Sequence, residues 1–286
     1  MICELKKGNL KAAIDPEDGM NVLSLQFCLE ECVHVDENKR KARFKTYGIP
    51  ILFPTPNRTR NEQYSFDGVR YPATMHGNLK HLAFSVIECT ERKIVGAREY
   101  DGSDPLFPFK ATITVTISLE DDTLSHCVRI ENNDLNRFGY GLALHPFFVK
   151  QPGSTMMCNV ESQMVTTEDK LPTGECRAVE GTELDFNVER STSELAFDTV
   201  FICKKSLECR YSTPSYVLDI SASEAYDHVV LYTTKEAPFI CFEPQTCSTD
   251  LFNMAAKGFE KEAHLLTLDP GERIEHRVDF RFRRRS

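Results

Sequence analysis

Apolar and polar residues alternate along most of this chain in short runs that end on turn-forming residues. The clearest run covers 109–119. There Ala111, Ile113, Val115, Ile117 and Leu119 fall on one side, and Thr112, Thr114, Thr116 and Ser118 on the other. A period of two rich in β-branched residues predicts a strand that buries one face. The acidic turn Glu120-Asp121-Asp122 joins it to a second run at 124–132. Comparable runs predict strands at 9–14, 21–29, 82–88, 138–148, 200–203, 216–220, 228–233, 239–242 and 277–282. The turn residues Asp15 to Gly19 make the first two an opening hairpin. Segments 64–66 and 69–71 flank Asp67-Gly68, a two-residue hairpin signal because Gly accepts positive φ.

Other segments lack that alternation. Residues 30–45 are charged without a period and predict a surface excursion. At 47–54 a glycine and two prolines stand among apolar residues, as in a packed loop. Only 250–257, stopped by Gly258, reads as a short helix, with Asp250 as its cap. Many strands without regular strand-helix alternation predict an all-β fold, a large antiparallel β-sandwich. With no linker or internal repeat, one domain over 1–286 is expected.

Composition narrows the class. With 41% hydrophobic and 27% charged residues, the 286-residue chain is ordinary globular material. Its net charge of −9 argues against nucleic acid and anionic membranes as partners, apart from a short basic stretch at 281–286. No apolar run reaches the roughly 18 residues of a membrane helix. An odd count of 11 cysteines and an opening without a signal-peptide pattern predict reduced thiols and a cytoplasmic location. Cys28, Cys32 and His34 imitate a metal cluster, but no second cluster follows, so they are read as packing residues.

Five residues are candidates for chemistry. Phe239-Ile240-Cys241-Phe242 is a buried-strand run that ends in Glu243 and is closed by Pro244. A carboxylate there needs donors or a cation, or else its pKa rises and it becomes a better base; alternatively it simply turns outward. His145 lies in Leu142-Ala143-Leu144-His145-Pro146-Phe147-Phe148, on one face with Ala143 and Phe147. Its ring nitrogens need partners, which a core backbone carbonyl would also supply. His76, beside Gly77, stands where backbone can approach a ligand. Arg58, in Asn57-Arg58-Thr59-Arg60, offers a guanidinium fork or simply a solvated loop. Asp198 is an acid among apolar residues, or a turn residue.

Taken together these pieces resemble the aldose 1-epimerase (galactose mutarotase) family. The resemblance runs through Ala13-Ile14, Gly19, Asn57-Arg58, Met75-His76-Gly77, His145-Pro146-Phe147-Phe148, 171–175, 181–186, Phe197-Asp198 and Phe242-Glu243-Pro244-Gln245-Thr246. It implies a β-sandwich that interconverts α and β anomers of a sugar, with no cofactor and no metal. Glu243 would be the general base, His145 the general acid, and His76 a helper at the ring oxygen, while Arg58 and Asp198 hold hydroxyls. An imidazolium beside a carboxylate is the expected resting pair near or just below neutral pH. Val149 departs from the asparagine common in the family at that place, and without tryptophan the aromatic platform would come from Phe147 or Phe66. A hexose-phosphate 1-epimerase, with Arg60, Arg70 or Lys80 as the clamp, is the nearest rival. A non-catalytic sugar-binding protein is the rival of another class.

Overall fold

The computed structural model describes residues 1–41, 47–193 and 195–285. Two large antiparallel sheets dominate it. One has nine strands, in the order Arg190–Ser191, Thr155–Cys158, Glu208–Ser212, Tyr216–Ala222, Arg273–Arg284, Thr123–Asn132, Lys110–Glu120, Lys93–Asp101 and Ser85–Cys89. The other has eight. Its path runs Pro172–Ala178, Val160–Thr166, Phe197–Cys203, His228–Thr233, Phe239–Gln245, Ala143–Leu144 and Ile51–Leu52, with Phe147–Val149 also paired to Phe239–Gln245. The sheets meet face to face, Phe148 touching Phe280 at 5.8 Å and Tyr211 touching Phe242 at 5.7 Å between ring centres. Ala111, Ile113, Val115, Ile117 and Leu119 are fully buried, as their alternation predicts. Among the described residues no helix is long and apolar enough to cross a membrane.

The opening hairpin forms, with its turn a short 3-10 segment ending on Gly19 at φ 66°. The Asp67-Gly68 hairpin forms too, both turn residues taking positive φ. Several strands are additional to the predicted set: Cys3–Lys7, Lys93–Asp101, Thr155–Cys158, Val160–Thr166, Pro172–Ala178 and Glu208–Ser212. Pro172–Ala178 and Cys3–Lys7 are edge strands, the first largely exposed and the second only five residues long. Gly96 leaves a gap in the apolar face of Lys93–Asp101, and a Cβ there would lie 2.6 Å from Met20 Sδ.

Other expectations need correction. The excursion at 30–45 is not all surface: Cys32 and Val33 are buried, and Val33 bridges Phe148. Its part at 42–45, like Ser286 of the basic stretch, lies outside the described residues. The loop at 47–54 contains the short strand Ile51–Leu52. Pro244 does not close its strand, which runs on to Gln245. Asp250 stands at the N-cap of the helix Leu251–Ala255, but in left-handed backbone (φ 59°) its carboxylate makes no capping bond and accepts instead from the Arg60 amide at 2.9 Å. Cys158 and Cys209 face each other in register, with Cα atoms 4.2 Å apart and their sulfurs paired. The remaining cysteines are free.

The segment 138–148 matters most for the site. It forms three short strands, Phe138–Tyr140, Ala143–Leu144 and Phe147–Val149, rather than one. Gly141 breaks it where a Cβ would meet Cys247 Sγ at 2.4 Å, and Pro146 breaks it again by lacking an amide hydrogen. His145 is left in the second gap.

Candidate active site

Strand register puts the two main candidates opposite one another. Ala143 pairs with Gln245 and Phe147 with Cys241, both antiparallel, so His145 between them stands across from Glu243. Glu243 pairs on its other side with Val230, and Val230 with Val200; one step along, Cys241 pairs with Tyr232 and Tyr232 with Asp198. Side chains two apart share a face. Phe242, Leu231 and Phe201 therefore enter the core, while Glu243, Val230, Tyr232 and Asp198 form the floor of a cleft on the opposite face.

Two loops cover this floor. Asn57 and His76 both take left-handed backbone (φ 62° and 66°) and join through a hydrogen bond from the His76 amide to the Asn57 carbonyl, 2.8 Å. Gly77 follows at φ 63°, and a Cβ there would lie 1.9 Å from the Phe53 carbonyl oxygen, so the turn requires glycine. Beneath it the buried Lys80 ammonium donates to the carbonyls of Met75 and Gly77, the two residues flanking His76.

The result is a cleft of about 200 Å³ lined by all five candidates, Arg58, His76, His145, Asp198 and Glu243. His145 Nε2 lies 3.2 Å from Glu243 Oε1, both side chains at least nine-tenths buried. The His76 ring meets the His145 ring edge to face at 5.5 Å, and Phe147 stacks on His145 at 4.3 Å with the rings 9° from parallel. Arg58 reaches Asp198 at 3.8 Å and Asn57 Oδ1 at 3.1 Å, with both charged groups about one-third exposed.

Comparison with known proteins agrees with this arrangement. A sequence model described as aldose 1-epimerase matches residues 3–281. The chain belongs to the aldose 1-epimerase family. Its fold is similar to that of an aldose epimerase homologue from C. elegans, 18% identical with a TM-score of 0.84, covering 100% of this chain and 99% of that one. A galactose mutarotase-like protein from Clostridium acetobutylicum is 16% identical, with a TM-score of 0.85 and coverage of 99% and 95%. A galactose 1-epimerase from Lactobacillus acidophilus NCFM is 15% identical, with a TM-score of 0.80 and coverage of 100% and 95%.

Burial sets the electrostatics of this family member. It pushes the Glu243 carboxyl well above its ordinary pKa, aided by the negative Asp198 and opposed by Gln245 and Arg58. It lowers the His145 imidazole to about 3, with the Lys80 charge acting in the same direction. Against the expected imidazolium-carboxylate pair, desolvation pulls toward a neutral ring beside a neutral carboxyl. The two forms contain the same number of protons and differ by one transfer along the 3.2 Å line. For His76, burial, then His145, Lys80 and Arg58, hold the pKa well below the usual value. Its Nδ1 accepts the Asn57 amide at 3.2 Å, which leaves the neutral ring with its hydrogen on Nε2.

The secondary candidates divide. Phe147 lines the cleft, whereas Phe66 packs edge-on against Phe252 in a separate cluster, under the Arg137 guanidinium. Arg60 and Arg70 line another groove, with Lys257, and Lys80 is committed to the two loop carbonyls. Val149 shares the strand face of Phe147 but does not line the cleft. Sequence reasoning missed Tyr232, Phe239 and Gln245; the parity of Cys241 and Glu243 was a usable signal for Phe239 and Gln245, whereas Tyr232 depends on the register between two strands. Gln245 Nε2 lies 3.4 Å from Glu243 Oε2.

Among the described residues, two groups of side chains are spaced to suit a metal ion, His145-Cys241-Glu243 and Asp227-His228-His264. Hydrogen bonds account for the second. Asp227 Oδ1 lies 2.6 Å from His228 Nδ1 and 2.7 Å from His264 Nδ1, and His228 Nε2 donates to the Glu262 carbonyl at 3.0 Å. Burial raises the Asp227 pKa, but these two rings outweigh it and hold the carboxyl at about 2.

Proposed function

We propose that the chain interconverts the α and β anomers of a free aldose by general acid-base ring opening and closure. The observation that carries this reading is the buried His145-Glu243 pair at 3.2 Å, on the floor of a cleft with a polar rim. A sugar seated between the two groups separates them. Glu243 as carboxylate takes the proton of the anomeric hydroxyl while protonated His145 gives one to the ring oxygen. The ring carbon-oxygen bond breaks, leaving an aldehyde, a neutral carboxyl and a neutral imidazole. That is the protonation state which burial favours, so the site stabilises the opened stage. Rotation about the bond beside the aldehyde exposes its other face, and closure returns both protons. No net proton, electron or group is left over, so the scheme calls on no cofactor.

His76 acts as a hydrogen-bond donor to the ring oxygen through Nε2. Because Nδ1 is occupied by the Asn57 amide, taking up a second ring proton would disrupt that bond. Arg58 and Asp198 at the rim orient hydroxyls, the guanidinium donating and the carboxylate accepting. A free sugar is favoured over a sugar phosphate because Arg58, the cation that lines the cleft, is already opposite Asp198. Catalysis is favoured over simple binding because hydroxyl recognition needs no buried acid and base. The test is polarimetry of freshly dissolved α-galactose, α-glucose and glucose 6-phosphate with and without protein. Faster relaxation of a free sugar is expected; acceleration of the phosphate alone would move the assignment to the rival activity, and no acceleration would leave sugar binding.

A further inference from the structure

We propose that His145, Cys241 and Glu243 form a binding site for a thiophilic divalent cation, with zinc the best match, and that the bound ion closes the cleft to sugar. Cys241 lies two residues before Glu243 on the same strand face and pairs with Phe147 and Tyr232, so its buried side chain leaves the strand on the cleft side, beside the acid-base pair. One donor atom from each of the three lies within 4.8 Å of the others, and the nitrogen-oxygen separation is 3.2 Å. Tetrahedral zinc, with bonds of about 2.0–2.3 Å, sets its donors roughly 3.3–3.7 Å apart. Small side-chain shifts complete the geometry. The cleft supplies an open fourth position and an entry path.

Binding releases the Cys241 thiol proton and the Glu243 carboxyl proton to solvent, so affinity rises with pH. His145 Nδ1 has no hydrogen-bond partner. Metal-bound histidines ordinarily have one there, and lacking it costs about ten- to a hundredfold in affinity. The ion is thus a reversible inhibitor rather than a resident cofactor.

Ligation is independent of the anomer-converting reading, whereas inhibition rests on it. The test is cobalt(II) titration of the reduced protein, followed by thiolate-to-cobalt charge-transfer absorption in the near ultraviolet. The band is expected in the wild type, undiminished in His264→Ala, suppressed by excess galactose, and lost in Cys241→Ser. No band in the wild type, or an equal band in Cys241→Ser, overturns the site. If Cys241→Ser does not fold, Glu243→Gln retains the thiol and is expected to weaken cobalt binding at least about tenfold; unchanged affinity there overturns it equally. Zinc should slow anomer conversion by the wild type and act at least about tenfold more weakly on Cys241→Ser. A band in a protein that converts no sugar leaves the ion site standing and rejects the catalytic reading.

Discussion

Lys80 shows how a residue outside the reacting pair shapes it. Its ammonium is buried beneath the loop, donates to the carbonyls on both sides of His76, and presses the pKa values of His76 and His145 down. Lys80→Met should reduce kcat about ten- to a hundredfold, the usual cost of misplacing a group by about an ångström. Removing the positive charge should also move the acidic limb of the pH-rate profile upward, a shift that loosening alone would not give. Glu243 carries the opposite penalty. Its folded pKa is raised, so the folded state holds a proton that the unfolded chain releases above about 4.3. Stability is therefore lost as pH rises from there through the folded pKa. Glu243→Gln should have a flatter profile and gain about 0.5–2 kcal/mol on the alkaline side, seen as a higher Tm at pH 9 than at pH 5 relative to wild type. Glu243 and His145 were legible in sequence because each interrupts an apolar run. Lys80 was not: its burial depends on a fold between distant segments, and alone it reads as a surface charge.

At the scale of elements, the site is a consequence of register. The sums 143 with 245 and 147 with 241 place His145 across from Glu243, and the breaks at Gly141 and Pro146 let one segment pair with three other strands. The sequence pattern located this segment but gave it as a single strand, because apolar residues continue through both breaks. Strands with exposed charges, such as Pro172–Ala178, were missed since one face meets water and the other is short of β-branched residues. Phe147 joins the two levels: it pairs with Cys241, stacks on His145 and is buried. Phe147→Ala should cost about 3–5 kcal/mol in urea unfolding and lower the rate through lost orientation of the imidazole. Phe147→Tyr, if it folds, should retain most of both.

For the whole molecule, the two-sheet sandwich gives one large sheet a mostly apolar inner face and an outer face free to carry chemistry. The fold matches known aldose epimerase structures at 15–18% identity over nearly the full length, which is possible because alternation and turn chemistry, rather than particular core residues, specify such sheets. The central claim is that the His145-Glu243 pair moves protons on and off a sugar ring. The most direct measurement is the polarimetric rate of anomer relaxation across pH for the wild type and Glu243→Gln side by side. The account predicts a bell-shaped wild-type profile, because the pair works only while it holds one mobile proton, and a rate about a hundred- to ten-thousandfold lower in the variant at every pH. A Glu243→Gln protein that relaxes the sugar as fast as wild type would contradict it.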